Sequence, residues 1–125
     1  MNWAAAGAIA MAVAVAIGAF GAHGLKAKLT PDALGWWHTG AQYHVYHALA
    51  LFAVAWAQSV GAGGRALTVS GWAMLLGIVL FSGSLYVMAL TGMRWLGAVT
   101  PIGGTAWIVG WIALAVATWG RSVAS

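Results

Sequence analysis

Apolar residues run through this chain in four long stretches separated by short polar or glycine-rich breaks. None of the four alternates with the period of two that a half-buried strand requires. The first spans residues 3–22 and carries no charged side chain. The second is assigned to 40–60, beginning within Leu34–Tyr43 and stopping at Gly61-Ala62-Gly63-Gly64-Arg65, a turn composition. The third covers 67–90 and is closed by Thr91-Gly92-Met93-Arg94-Trp95. The fourth covers 100–119, with Thr100 expected as N-cap and Pro101 at the first helical position. A spanning helix needs about 20 mostly apolar residues, so each stretch is long enough to cross a bilayer. Short links after the second and third stretches make neighbours antiparallel. The pattern predicts an all-α fold: an integral membrane four-helix bundle of up-down-up-down topology, a single domain over residues 1–125. The first stretch lacks a basic leader and its apolar core is too long for a signal peptide, so it is expected to be retained.

Composition agrees with a lipid-facing surface. The 125 residues are 63% hydrophobic and 5% charged, with a mean hydropathy of +0.92. A soluble protein of this size could not cover itself with so few polar groups, and a bilayer removes that requirement. The net charge of +4 arises because acids are missing, not because bases cluster. Five scattered basic residues form no nucleic-acid surface and read as interfacial anchors. With no cysteine, disulfides, thiolate metal sites, iron–sulfur clusters and thiol nucleophiles are excluded.

Tryptophans fall in two belts. Trp3, Trp56, Trp72 and Trp119 lie towards the side of the termini, and Trp36, Trp37 and Trp95 towards the other; Trp107 and Trp111 lie deeper, as packing or lipid-facing residues. Small residues at close-packing spacings (Ala12 and Ala16, Gly77, Gly83, Gly103 and Gly110) are expected at helix contacts, because membrane helices associate by packing backbone against small side chains. Basic residues divide almost evenly between the two sides, so charge leaves the orientation open.

All four histidines lie between His23 and His47, together with Lys26, Lys28 and the only acid, Asp32. Depth separates them. The uninterrupted apolar part of the second stretch, Ala48 to Ala57, gives only about 15 Å of helix against a hydrocarbon layer of about 30 Å. Tyr43, His44, Tyr46 and His47 are next in line to enter it. Tyr43 and His47, at i and i+4, share a face. The third stretch brings Ser82, Ser84 and Tyr86 to similar depth, and His23 closes the first helix at that end. The expected candidate site is a buried polar node of His23, Tyr43, His47, Ser82, Ser84 and Tyr86, with His38 in the hydrated loop or the interface and His44 near the membrane boundary.

Gly18-Ala19-Phe20-Gly21-Ala22-His23-Gly24-Leu25, Tyr46-His47-Ala48-Leu49-Ala50, Leu80-Phe81-Ser82-Gly83-Ser84-Leu85-Tyr86 and Thr100-Pro101-Ile102-Gly103-Gly104 occur in this order. Together they resemble the small membrane-protein family called domain of unknown function 423, which includes the transmembrane protein 256-like proteins. The resemblance covers nearly the whole chain. It implies a four-helix integral membrane protein, in bacteria of the inner membrane with both termini cytoplasmic, and no activity. His23, His47, Ser82, Ser84, Tyr86 and Pro101 match the family pattern; at His44 that pattern looks more like Gln, and His38 also departs from it.

No catalytic residue is assigned, since no nucleophile motif or convergent acid–base group is present and Phe81-Ser82-Gly83-Ser84-Leu85 is not the G-x-S-x-G elbow. The expected role is non-enzymatic: an accessory or structural partner of a larger membrane complex, or a lipid or quinone binder. The bilayer is its medium, self-association is open, and nucleic acid is not a partner. The alternative is an oligomeric proton, ion or small-solute conduit built on His47, since histidines in membranes can relay protons. No cofactor or metal is predicted. Haem or a metal held by His23 and His47 is the lesser alternative.

Overall fold

The structure, a computed structural model, describes residues 1–121; the last four residues of the expected domain lie outside the described residues. Its elements are α1 (Trp3–His23), α2 (Pro31–Ser59), α3 (Gly64–Gly77), a π-helical turn (Ile78–Ser82), α4 (Gly83–Thr91), a 3-10 turn (Arg94–Ala98) and α5 (Thr100–Thr118). The stretch Gly64–Thr91 is one continuous rod, so the expected four-helix, all-α bundle is what forms, with no strand among the described residues. Trp3–His23, Gly64–Thr91 and Arg94–Thr118 are long and apolar enough to cross a membrane.

The remaining helix, α2, is the longest and the most polar, and its position explains why that is tolerated. It packs against α1 on one side and against α3, the π turn, α4 and α5 on the other. Its buried residues Trp37, Gly40, His44, His47, Leu51 and Val54 follow alternating steps of three and four, the seam of a left-handed bundle helix. Helix α1 answers with Trp3, Gly7, Ala14 and Gly21 on one stripe. His44 and His47 of α2 are thus screened from lipid by its neighbours.

Helix α2 begins nine residues earlier than the span assigned from apolarity. Thr30 is its N-cap, its Oγ1 accepting from the Ala33 N–H at 3.2 Å, and Pro31 and Asp32 occupy the first turn. A carboxylate there complements the helix dipole. His38 consequently lies exposed on the helix, not in a loop. Thr100 also departs from expectation: Val99 is the cap residue of α5, and the Thr100 hydroxyl turns to Ser84.

Aromatic side chains set on glycines of the facing helix hold the bundle together. The Trp37 ring covers Gly21, Trp3 covers Gly71 and Trp107 covers Gly77, each where a methyl group would collide with the indole. The bare backbone also frees a nearby carbonyl. Trp37 Nε1 donates to the Ile17 carbonyl at 2.9 Å and Trp107 Nε1 to the Met74 carbonyl at 3.1 Å. In a membrane, where packing and hydrogen bonds replace the hydrophobic drive between helices, such pairs carry the association. Gly110 faces Ala73 and Met74 more tightly than a methyl group would ordinarily allow, and Gly103 lies directly on the Phe81 backbone.

Three small residues depart from the expected contacts. A methyl group added at Gly83 would meet nothing on a facing helix, its nearest contact being the Ile78 carbonyl of the same rod at 3.9 Å. Ala12 and Ala16 are exposed, because the α1 seam passes through Gly7, Ala14 and Gly21 instead. Trp3 likewise is buried, whereas Trp56, Trp72 and Trp119 are exposed as a belt requires.

The π turn resolves two demands on the third rod. Gly83 N–H reaches back five residues to the Ile78 carbonyl, widening one turn. Within it Phe81 lies against α5 at Gly103, while Ser82 faces α2 and its Oγ donates to the Gly40 carbonyl at 2.7 Å. Replacing Ser82 by Ala is expected to cost about 1 kcal/mol, one buried hydrogen bond. Chemical or thermal unfolding in a fixed detergent measures it, and an unchanged midpoint would remove Ser82 from the forces that set this turn.

Candidate functional site

The six residues expected to form one node fall into separate arrangements. His47 is buried, and its ring lies flat on Trp107 of α5 with centroids 3.6 Å apart and planes 3° from parallel. Its Nδ1 is 2.7 Å from the Tyr43 carbonyl one turn earlier, and its Nε2 is 3.2 Å from Trp111 Nε1. Both partners are fixed in kind. A carbonyl only accepts and an indole N–H only donates, so the hydrogen sits on Nδ1 and Nε2 accepts from Trp111. Tyr43 contributes this carbonyl and an exposed ring, which packs with Phe81 at 5.1 Å.

Tyr86, expected opposite His47, pairs instead with His44: its hydroxyl lies 2.9 Å from His44 Nδ1. Its ring sits over Gly40 and beside Trp37, with centroids 4.9 Å apart. Ser82 goes to the Gly40 carbonyl, and Ser84 Oγ lies 2.6 Å from Thr100 Oγ1. His23 is exposed at the last turn of α1. It lies at the end where α2 begins, whereas His47 is sixteen residues further, roughly 24 Å along α2. The structure does not bring His23 and His47 together, and no cluster of three potential metal ligands occurs among the described residues.

His44 is the residue whose place was missed. It is 3% exposed and sits at the middle of α2, not at the membrane boundary. Signals for this existed: Trp37, Gly40, His44, His47 and Leu51 keep a three-four rhythm that marks one buried stripe. Trp111 was missed as a partner of His47 because sequence separation hid a contact between helices.

One edge of His44 lines a cleft between α1 and the α3–π rod. The cleft, of about 480 Å³, is walled by Ala6, Ile9, Ala10 and Val13 from α1 and by Leu75, Ile78 and Val79 opposite. At the terminal side Trp3 of α1 plugs Gly71 of α3. Volumes of several hundred Å³ with apolar walls and few polar groups are those of small-molecule sites. Elsewhere the interior is largely satisfied internally: among the described residues, Ser70 Oγ is the one buried side-chain polar atom without a hydrogen-bond partner.

Comparison with known proteins places the chain. The family model described as "Protein of unknown function (DUF423)" matches residues 17–104, from the second half of α1 into α5. The UPF0382 membrane protein YwdK of Bacillus subtilis strain 168 is 53% identical over 111 residues, covering 89% of this chain and 90% of that one. A UPF0382 membrane protein of Staphylococcus saprophyticus is 46% identical over 114 residues, covering 90% and 92%. One of Haemophilus influenzae is 46% identical over 101 residues, covering 81% and 80%. No solved structure matches. A match spanning the central helix, the π turn and the Phe81–Gly103 crossing, with relatives aligned over most of their length, makes this chain a member of the DUF423 family of membrane proteins.

Proposed function

We propose that the protein is a non-catalytic accessory component of the bacterial inner membrane that holds a lipid-soluble molecule in the α1–α3 cleft. The observation that carries this is the cleft itself: an opening with aliphatic walls on the outside of the bundle, with one buried polar side chain, His44, in its lining. Such a groove is poorly served by water and well served by an apolar molecule that enters sideways from the bilayer. Bacterial relatives that are named membrane proteins support the location.

The test is to purify the full chain from bacterial membranes in mild detergent and identify bound small molecules by native mass spectrometry and extraction. A bound lipid-soluble species is expected in the wild type. It should be lost in Val13→Trp, whose indole fills the cleft from an already exposed position on α1. Undiminished occupancy in a folded Val13→Trp protein would show that the cleft is not the site. Recovery of a stoichiometric protein partner with an unoccupied cleft would move the accessory role to a helical face instead.

A further inference from the structure

We propose that the exposed face of α2 docks a second copy of this chain, the two parallel helices being joined at mid-membrane by Gln42 and Tyr46. This face is independent of the α1–α3 cleft. Two residues along a helix turn about 200°, so Gln42 and Tyr46 both stand opposite His44, the α2 residue that lines the cleft. Depth is the first observation. The two residues bracket Val45, the midpoint of Pro31–Ser59. His44, between them, shares the cleft lining with Ala10, Val13 and Ile78, near the midpoints of Trp3–His23 and Gly64–Thr91. Gln42 and Tyr46 are nevertheless exposed. The other rods present aliphatic side chains outward at this level: Ile9 and Val13, Leu76 and Val79, Ile108 and Ile112. Exposed polar atoms nearby on α5 are already used, Thr105 Oγ1 donating to the Pro101 carbonyl and Trp111 Nε1 to His47. An amide and a phenol facing the centre of a hydrocarbon layer about 30 Å thick find neither water nor headgroups to bond.

The bonding left over is the second observation. Gln42 Nε2 donates to the Tyr46 hydroxyl oxygen at 2.6 Å, and the Tyr43 ring packs edge-on against Tyr46 with centroids 5.6 Å apart. That bond leaves the Gln42 carbonyl oxygen to accept and the Tyr46 O–H to donate. A patch with an acceptor and a donor to spare is its own complement. Turned through 180° about the membrane normal, each Tyr46 donates to Gln42 of the other copy. Copies inserted in one orientation are related by such an axis, which sets equal depths face to face. Two bonds within the copies and two between them then close a ring. The rest of the face permits the approach. Gly35, Thr39, Gln42, Tyr46 and Leu49 are exposed at alternating steps of four and three, the seam of a left-handed parallel pair. A methyl group at Gly35 would meet nothing, so that end is open to a second backbone. Bonds between polar side chains across helices hold such pairs together in lipid. A different protein would have to supply the same balance of donor and acceptor, which this chain already supplies.

The chain has no cysteine, so single-cysteine variants each report on one position. In bacterial membranes oxidised with copper–phenanthroline, full-length Thr39→Cys and Leu49→Cys should be recovered mainly as disulfide-linked dimers. Val79→Cys and Ile108→Cys, on other rods, should remain monomeric. All four positions are exposed, so these substitutions leave the packing of the bundle intact. Energy transfer between donor- and acceptor-labelled copies in phosphatidylcholine liposomes, diluted with lipid, gives the dissociation constant of the dimer. Gln42→Leu removes both bonds between copies and should raise that constant roughly tenfold, as should Tyr46→Phe. Helix content is recorded for each variant, and both replacements put apolar groups where lipid lies. Thr39→Cys dimers no more abundant than those of Ile108→Cys overturn the docking face. Crosslinking of Thr39→Cys to a different protein in place of itself overturns the second copy and assigns the face to that protein. An unchanged dissociation constant in folded Gln42→Leu and Tyr46→Phe overturns the pairing of these side chains.

Discussion

Gly103→Ala is expected to lower the unfolding free energy by about 3 kcal/mol, at the upper end of what overpacking by a single methyl costs. The reason is what the methyl would meet. Built on Gly103, it falls on the backbone nitrogen and Cα of Phe81, not on a side chain that could rotate away. The Phe81 backbone cannot easily retreat. Its neighbour Ser82 is tied to the Gly40 carbonyl at 2.7 Å, and the Phe81 ring packs against Trp107 with centroids 4.6 Å apart. Relief would have to move α5 off the rod, opening the Trp107–Gly77 pair at the same crossing. Gly83→Ala is the paired control. It adds the same methyl within the same rod where no other element is near, and replacing glycine inside a helix gains up to about 1 kcal/mol. Thermal unfolding of both variants in one detergent measures the difference. Equal midpoints would mean that the close crossing of α5 over the π turn does not govern stability.

That contrast also shows what the sequence could and could not reveal. Both glycines look alike in a list of small residues at helical spacing, because spacing reports position along a helix and not which way a face points. The helices themselves were legible, since long apolar runs and glycine-rich turns are local. The ends of α1 and α5 lie within a residue or two of the expected ones. The start of α2 was misplaced although Thr30-Pro31-Asp32 is a local capping signal. Apolarity points to a later start, and the helix that least needs apolarity is the one packed against all of its neighbours. The π turn had no local signal, because its causes, the Ser82–Gly40 bond and the Phe81–Gly103 contact, join residues far apart in sequence.

The candidate site divides in the same way. Depth arithmetic takes His47 into the apolar layer and leaves His44 at its boundary, but depth is one coordinate and azimuth is another. Three residues along an α-helix turn about 300°, so His44 and His47 point roughly 60° apart. That angle is enough to send them to different neighbours. His44 reaches Tyr86 of α4 and the cleft beside α1, and His47 reaches Trp107 and Trp111 of α5. A single node inferred from depth thus separates into a cleft-facing pair and an enclosed stack.

His47→Leu is expected to cost roughly 3 kcal/mol, assembled from two hydrogen bonds of about 1 kcal/mol each and a flat aromatic stack of about 1 kcal/mol. The loss falls unevenly on the partners. The Tyr43 carbonyl remains in the α2 ladder, but Trp111 Nε1–H loses its acceptor at a depth where water cannot replace it. A double-mutant cycle with Trp111→Phe isolates that bond. A coupling of about 1 kcal/mol is expected, since leucine and phenylalanine together leave no stranded donor. Additive effects would show that the Trp111 bond contributes nothing and that the stack on Trp107 alone holds the ring. The same variant separates structure from binding. His47 keeps both nitrogens occupied within the bundle and does not line the α1–α3 cleft. A folded His47→Leu protein should therefore melt earlier yet keep the bound lipid-soluble molecule in the cleft, which Val13→Trp should lose. Loss of that occupancy in a folded His47→Leu protein would join the cleft and the His47 stack into one functional unit after all.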